Sequence, residues 1–188
     1  YLAMFRWDQN VPTFPTSTPM PTPTPSVVTY ISEAEDAIWD GEIVDAIEAY
    51  KRALDLEPNQ GEVYIALARL LTLYGEPERA LEMAQQALVR QPESARAVAA
   101  LGRAYDWLGM PGEAVRLCRQ AVEIDPALAE AHAYLAEAYI DNGQWYAAND
   151  AIATAMALDD RSVDVLRNQA YVLENQGNYY QAIETYRE

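Results

Sequence analysis

The stretch that decides the fold is residues 66–88, ALARLLTLYGEPERALEMAQQAL. It contains two helix-forming runs, and Gly75 and Pro77 separate them. A glycine recurs at intervals of 34 residues along the chain, at Gly41, Gly75, Gly109, Gly143 and Gly177. A fixed period of this length is typical of stacked helix-turn-helix units, each of which buries part of its apolar face against the next.

Small side chains recur at three further positions of the repeat. These positions hold Ala34, Ala68, Gly102, Ala136 and Ala170, then Ala46, Ala80, Ala114, Ala148 and Ala182, then Ala53, Ala87, Ala121 and Ala155. Two antiparallel helices approach closely only where their side chains are small. Together with the glycines, this pattern resembles the tetratricopeptide repeat (TPR) family over residues 27–188.

The resemblance implies an all-α fold, a right-handed superhelical TPR solenoid that follows an extended Pro/Thr-rich segment. Its units are predicted at 27–60, 61–94, 95–128, 129–162 and, in part, 163–188. We expect the glycines to end the first helix of each unit in the left-handed conformation. Pro77 and Pro111 suit the first turn of the second helix.

Composition limits the classes of partner. The chain has 188 residues, of which 13 are basic and 29 are acidic, so its net charge is −16. Such an acidic protein repels phosphate backbones and anionic lipid head groups, which disfavours nucleic-acid and membrane-surface binding. The partner is therefore expected to be a protein or peptide. No stretch is long and apolar enough to predict a membrane span within this chain.

The first ten residues, YLAMFRWDQN, form a separate apolar segment. Large apolar side chains that occur together in a terminal segment usually contact something. We therefore predict that residues 1–10 are a docking peptide, whose anchors are Tyr1, Leu2, Met4, Phe5 and Trp7. The alternative is a remnant of an upstream signal or anchor.

Residues 11–26, VPTFPTSTPMPTPTPS, form a Pro/Thr-rich linker. Proline density predicts an extended spacer of up to about 50 Å. Thr and Ser among prolines also suit an O-glycosylated stalk, although an unmodified linker is the alternative. The candidate O-glycosylation sites are Thr13, Thr16, Ser17, Thr18, Thr22 and Thr24. This segment carries the expectation that the chain is extracellular or lies in the cell envelope.

Catalysis is not expected from this sequence. Its one cysteine, Cys118, and its one histidine, His132, could lie close together across adjacent units. A catalytic pair would also need an orienting group and an accessible cleft, so core packing is the better interpretation. The sequence has no motif for phosphate, metal or cofactor binding. We predict no enzyme activity, no metal and no cofactor.

The resemblance implies a concave groove lined by the first helix of each unit. Its predicted peptide-binding residues are Ile31, Glu35, Ile38, Trp39, Ile65, Arg69, Leu73, Arg96, Arg103, Trp107 and Glu137. Three arginines among them form a basic island in an acidic protein, flanked by Trp39 and Trp107. This arrangement suits an extended peptide that carries apolar side chains and an acid. The alternative is that the arginines pair with nearby carboxylates and bind nothing.

The two ends of the array carry unlike apolar faces, which suggest a mode of assembly. Val28 and Trp39 belong to the first helix, and Tyr179 and Tyr180 belong to the last. Contacts between unlike ends generate filaments. We therefore predict a non-enzymatic interaction scaffold, exported and self-assembling head to tail, with the N-terminal peptide docked on a neighbouring array. The alternative is an envelope-tethered TPR adaptor that binds an unrelated protein through its groove.

Overall fold

The computed structural model describes residues 25–187, so the docking peptide and nearly all of the linker lie outside the described residues. Within that range the chain forms ten α-helices and no strand. The helices are α1 (Val27–Asp40), α2 (Ile43–Leu56), α3 (Gly61–Tyr74), α4 (Pro77–Arg90), α5 (Ala95–Trp107), α6 (Pro111–Ile124), α7 (Ala129–Asp141), α8 (Trp145–Leu158), α9 (Val163–Asn175) and α10 (Tyr179–Arg187). The all-α prediction is confirmed.

The helices pair as the 34-residue period predicts. Each odd-numbered helix packs against the even-numbered helix that follows it, and that helix packs against the first helix of the next unit. The odd-numbered helices α3, α5, α7 and α9 also contact one another in succession, so they form the inner layer. The even-numbered helices form the outer layer of the solenoid.

The turns between paired helices depend on glycine. All five periodic glycines, from Gly41 to Gly177, have φ between 74° and 86°. This left-handed conformation carries a steric penalty for residues with a Cβ atom, which glycine avoids. Pro77 and Pro111 each begin the second helix of a unit, as predicted.

The predicted small residues are buried throughout the array. The alanines at the three small positions are at most 3% exposed. The core consists of one cluster in the first units and one in the later units, and Leu81 and Met83 pack against both clusters. The helices therefore approach closely along the array, and larger side chains such as Leu67, Leu70 and Leu71 are buried between them.

Gly102 marks the tightest of these approaches, because a Cβ atom there would lie 2.6 Å from the Cys118 sulfur and 3.2 Å from the Cys118 backbone nitrogen. We expect Gly102→Ala to lower the free energy of unfolding by about 1–3 kcal/mol through overpacking. Gly112→Ala is the matched control, because a Cβ atom at Gly112 would meet nothing within 4 Å. Urea denaturation measures both, and equal stabilities for the two variants would contradict the packing argument.

Candidate functional site

The inner helices enclose a pocket of about 450 Å³. Helices α1, α3 and α5 supply most of its wall, and α7 and α9 close it. Seven predicted groove residues meet there: Ile31, Glu35, Ile38, Ile65, Arg69, Arg96 and Arg103. The isoleucines provide an apolar surface beside charged groups. The inner helices of the five units therefore form a site able to hold both an apolar and a charged side chain.

Asp164 lines this pocket and lies between two arginines. Arg103 donates from Nη1 to Oδ1 of Asp164 at 2.9 Å, and Arg69 donates from Nη1 to Oδ2 at 3.2 Å. Burial opposes ionisation of the Asp164 carboxyl, but Arg103 and Arg69 outweigh it and lower its pKa. Asp164 is thus an ionised carboxylate held by guanidinium groups of the second and third units.

Arg103 is the buried half of this bridge. Its side chain is 1% exposed, and Nη1 also donates to the Tyr134 hydroxyl at 3.1 Å. The guanidinium carbon lies 4.6 Å from the centre of the Tyr134 ring. Its Nε and Nη2 atoms have no hydrogen-bond partner among the described residues. Buried donors without a partner are uncommon, so this arginine holds unused capacity for an acceptor.

Arg69 is the accessible half of the bridge, since its side chain is 37% exposed. Two guanidinium groups share one carboxylate here, although the wall of the pocket as a whole carries three arginines and four acidic residues, Glu35, Glu62, Glu130 and Asp164. Arg96 lies at the rim, where it donates to Glu62 at 3.0 Å. All three predicted arginines therefore pair with carboxylates, as the alternative interpretation holds, and Arg69 and Arg103 share the same one.

The other four predicted groove residues do not line this pocket. Trp39 is 91% exposed on α1, and Leu73 is exposed on α3. Trp107 donates from Nε1 to Glu137 at 3.1 Å, and Arg167 donates to the other oxygen of Glu137 at 2.6 Å. The inner surface of the later units is thus filled by its own polar contacts.

A buried carboxyl group lies beside this second cluster. Asp106 is buried, and neither of its carboxyl oxygens has a hydrogen-bond partner among the described residues. Burial, together with the charges of Glu137 and Asp141, raises the pKa of Asp106 to about 8. The Tyr171 hydroxyl donates to Asp141 at 2.5 Å. The inner faces of α5 and α7 therefore meet at a carboxyl whose pKa lies well above its ordinary value.

The position of Asp164 in the groove could have been predicted from the register of the repeat. It occupies the second position of its unit, equivalent to Glu62 and Arg96 in the second and third units. That position belongs to the groove lining of the earlier units. Extending the same register into the fifth unit identifies Asp164 as a groove residue.

No hydrogen bond joins Cys118 and His132 in the part of the chain that the structure describes. Cys118 is fully buried against Gly102, and burial raises the pKa of its thiol. The Nε2 atom of His132 lies 3.0 Å from the carbonyl oxygen of Pro126. A neutral, inaccessible thiol is a poor nucleophile, which agrees with a packing role.

The tetratricopeptide repeat family profile matches residues 37–104 and 108–165. The chain belongs to the tetratricopeptide repeat family. The TPR fold implies a scaffold for protein–protein interaction, and proteins of this class are generally not catalytic. No curated protein matches the sequence at a significant level.

Solved structures resemble this TPR array along most of its length. A thermophilic TPR protein, TTC0263 from Thermus thermophilus, is 21% identical with a TM-score of 0.74, over 86% of this chain and 89% of that one. MamA 41-end from Desulfovibrio magneticus RS-1 is 19% identical with a TM-score of 0.57, over 86% and 91%. Another MamA structure is 22% identical with a TM-score of 0.56, over 86% and 88%. At these identities the similarity concerns the fold.

Two further properties concern only the part of the chain that the structure describes. Between residues 25 and 187, no helix has the length and apolar character needed to cross a bilayer. The same residues include no group of three or more His, Cys, Asp or Glu side chains placed to hold a metal ion. Among the described residues, the pocket lined by Asp164 brings together seven of the eleven predicted groove residues.

Proposed function

We propose that this TPR protein is a non-enzymatic scaffold whose inner pocket binds an extended segment of another protein molecule. The observation that carries the proposal is the pair of guanidinium groups, Arg69 and Arg103, that share the single carboxylate of Asp164. Two guanidinium groups on one carboxylate suit a second acidic group, and Ile31, Ile38 and Ile65 suit a neighbouring apolar side chain. Arginine is well adapted to carboxylate recognition because its donors match the geometry of the two oxygens.

Arg69 is the residue through which this proposal is tested, because it is accessible from the pocket. We expect Arg69→Gln to weaken binding of a fluorescein-labelled peptide of residues 1–10 roughly 3- to 10-fold, the effect of losing one partly exposed charge pair. Fluorescence anisotropy measures the affinity. Arg52→Gln is the control, since Arg52 pairs only with Glu48 on the surface of α2. Equal weakening by both substitutions would indicate nonspecific charge attraction instead of a site.

We further propose that the partner is a second copy of this chain. Phe5 and Trp7 offer apolar anchors, and Asp8 follows them as an acidic group. In this proposal the docking peptide of one molecule lies in the pocket of the next, and the linker of residues 11–26 spans the gap. The observation that favours this partner is the apolar composition of residues 1–10, in which Phe5 and Trp7 lie close in sequence to Asp8.

Removing the two anchors tests assembly directly. We expect the full chain to form oligomers whose mass rises with concentration, and the variant Phe5→Ser/Trp7→Ser to remain monomeric. Size-exclusion chromatography with light scattering measures the masses. Tyr146→Ser is the control, because it removes an exposed aromatic side chain from α8 at neither end of the array. A monomer for every chain at all concentrations would defeat the proposal of self-assembly.

Export and O-glycosylation of the linker complete this proposal. The supporting observation is the density of threonine and proline in residues 11–26. Mass spectrometry of that segment from the native source is expected to reveal hexose-type additions. If the segment is unmodified but the chain forms oligomers, the proposal of O-glycosylation is wrong and the proposal of a self-assembling scaffold is retained. An unmodified segment with a monomeric chain would favour the second candidate, a TPR adaptor tethered to the cell envelope that binds an unrelated protein.

A further inference from the structure

We propose that Asp164 is an internal competitor for the carboxylate site of the pocket. In the unliganded protein it holds Arg69, and it yields this arginine to the acidic group of a bound segment. The inference rests on the proposed binding function and adds its regulation. A carboxylate already lies where the ligand's carboxylate would bind, and it belongs to the fifth unit instead of to a partner.

Asp164 forms one ion pair with Arg103 and one with Arg69, here called the Arg103 arm and the Arg69 arm. The arm that is more accessible to solvent is the one at which a ligand can replace Asp164. The Arg103 arm is 2.9 Å long, and its guanidinium is almost completely buried beside Tyr134. The Arg69 arm is 3.2 Å long, and the arginine is more than one-third exposed toward the pocket. Partly exposed ion pairs are weak because water competes for both charges. An incoming carboxylate can therefore replace Asp164 on Arg69 while Arg103 keeps its hold.

Replacement of Asp164 by a ligand carboxylate at Arg69 has a structural consequence, because the Arg69–Asp164 pair joins two helices that are far apart in the sequence. Arg69 and Asp164 are 95 residues apart, on α3 and α9. The α9 helix packs mainly against α7, α8 and α10, so the side-chain pair is its principal link to the second unit. A bound acidic group would break this link, and the fifth unit would lose one of its two anchors across the groove.

Thermodynamic linkage requires that the effect of Asp164 on ligand affinity and the effect of the ligand on the anchoring of Asp164 are equal in size. If Asp164 reduces the affinity for an acidic segment by a given factor, binding of that segment reduces the anchoring of Asp164 by the same factor. The inference therefore predicts one change in affinity and one change in the opening of α9. A purely structural role for Asp164 predicts neither, because loss of structure near the pocket would weaken binding.

The experiment uses the full chain and two labelled peptides, YLAMFRWDQN and the same peptide with Asp8→Asn. We expect Asp164→Asn to bind the first peptide roughly 3- to 10-fold more tightly than the unmodified chain does. The gain should disappear with the Asp8→Asn peptide and in the double variant Arg69→Gln/Asp164→Asn. Circular dichroism confirms that each variant is helical at the temperature of the assay.

Hydrogen exchange of the unmodified chain provides a second measurement that needs no variant. Saturation with YLAMFRWDQN should speed exchange in residues 163–175, whereas the Asp8→Asn peptide should not. Equal affinities of the unmodified chain and Asp164→Asn, or slower exchange in α9, would overturn the inference and leave the binding function intact. If neither chain binds either peptide, the proposed binding function falls together with the inference.

Discussion

Asp164→Asn is expected to lower the free energy of unfolding by about 3 kcal/mol at pH 7, because it leaves the buried guanidinium of Arg103 without its carboxylate. Most of this loss arises at Arg103, whose side chain is 1% exposed, and less arises at the partly exposed Arg69. Urea denaturation followed by circular dichroism measures the change. The same substitution is expected to tighten binding of the peptide of residues 1–10 through its Asp8, so stability and affinity should move in opposite directions.

The pH dependence of this effect follows from the lowered pKa of Asp164. A carboxyl group whose pKa is lower in the folded state stabilises the protein above its ordinary pKa, and this stabilisation is lost as the pH falls. The difference between Asp164→Asn and the unmodified chain should therefore shrink below about pH 4. Glu62→Gln is the control, because the Glu62–Arg96 pair is more than half exposed and should contribute less than about 1 kcal/mol. Equal losses for both variants would refute the central role of the buried bridge.

Asp106→Asn is expected to have the opposite effect and to stabilise the protein by about 2–4 kcal/mol at pH 8. The Asp106 carboxyl is buried near Glu137 and Asp141, and its pKa is raised to about 8. The unfolded chain releases this proton near pH 4, whereas the folded chain retains it. The folded state of the unmodified protein should therefore lose stability steadily as the pH rises from about 4 to about 8.

Asparagine has nearly the same shape as a protonated aspartate and does not ionise, so the variant removes this pH dependence. Thermal unfolding at a series of pH values should give nearly equal midpoints for the two chains at pH 4 and an increasing difference up to pH 8. Asp55→Asn, an exposed site on α2, is the matched control and should change neither curve. A variant less stable than the unmodified chain at pH 8 would contradict an unpartnered, protonated Asp106.

The repeat architecture was predictable because its determinants are local and recur in sequence. Glycine is favoured at a left-handed turn, and alanine is favoured where two helices touch. Each unit therefore has the same residue types at equivalent positions, such as Gly75 and Ala80 in the second unit. In the structure a helix lies on each side of every one of the five periodic glycines.

The pairing of charges was less predictable because it depends on how far the inner layer curves. Asp164 meets Arg103 over 61 residues and Arg69 over 95 residues, and no local pattern records such separations. The basic island was identified, but its carboxylate partner in the fifth unit was not. Glu137 occupies a groove position and yet binds Trp107 and Arg167, because neighbouring side chains are long enough to reach it.

Because Cys118 is buried, the rate at which its thiol reacts can report on local opening of the structure. The thiol is sealed at the contact with Gly102, so an alkylating reagent can reach it only after α5 and α6 separate. Since this is the one cysteine of the chain, the rate of alkylation reports on the breathing of the third unit without any engineered label. A ligand that tightens the middle of the array would slow that reaction, and one that loosens it would hasten the reaction.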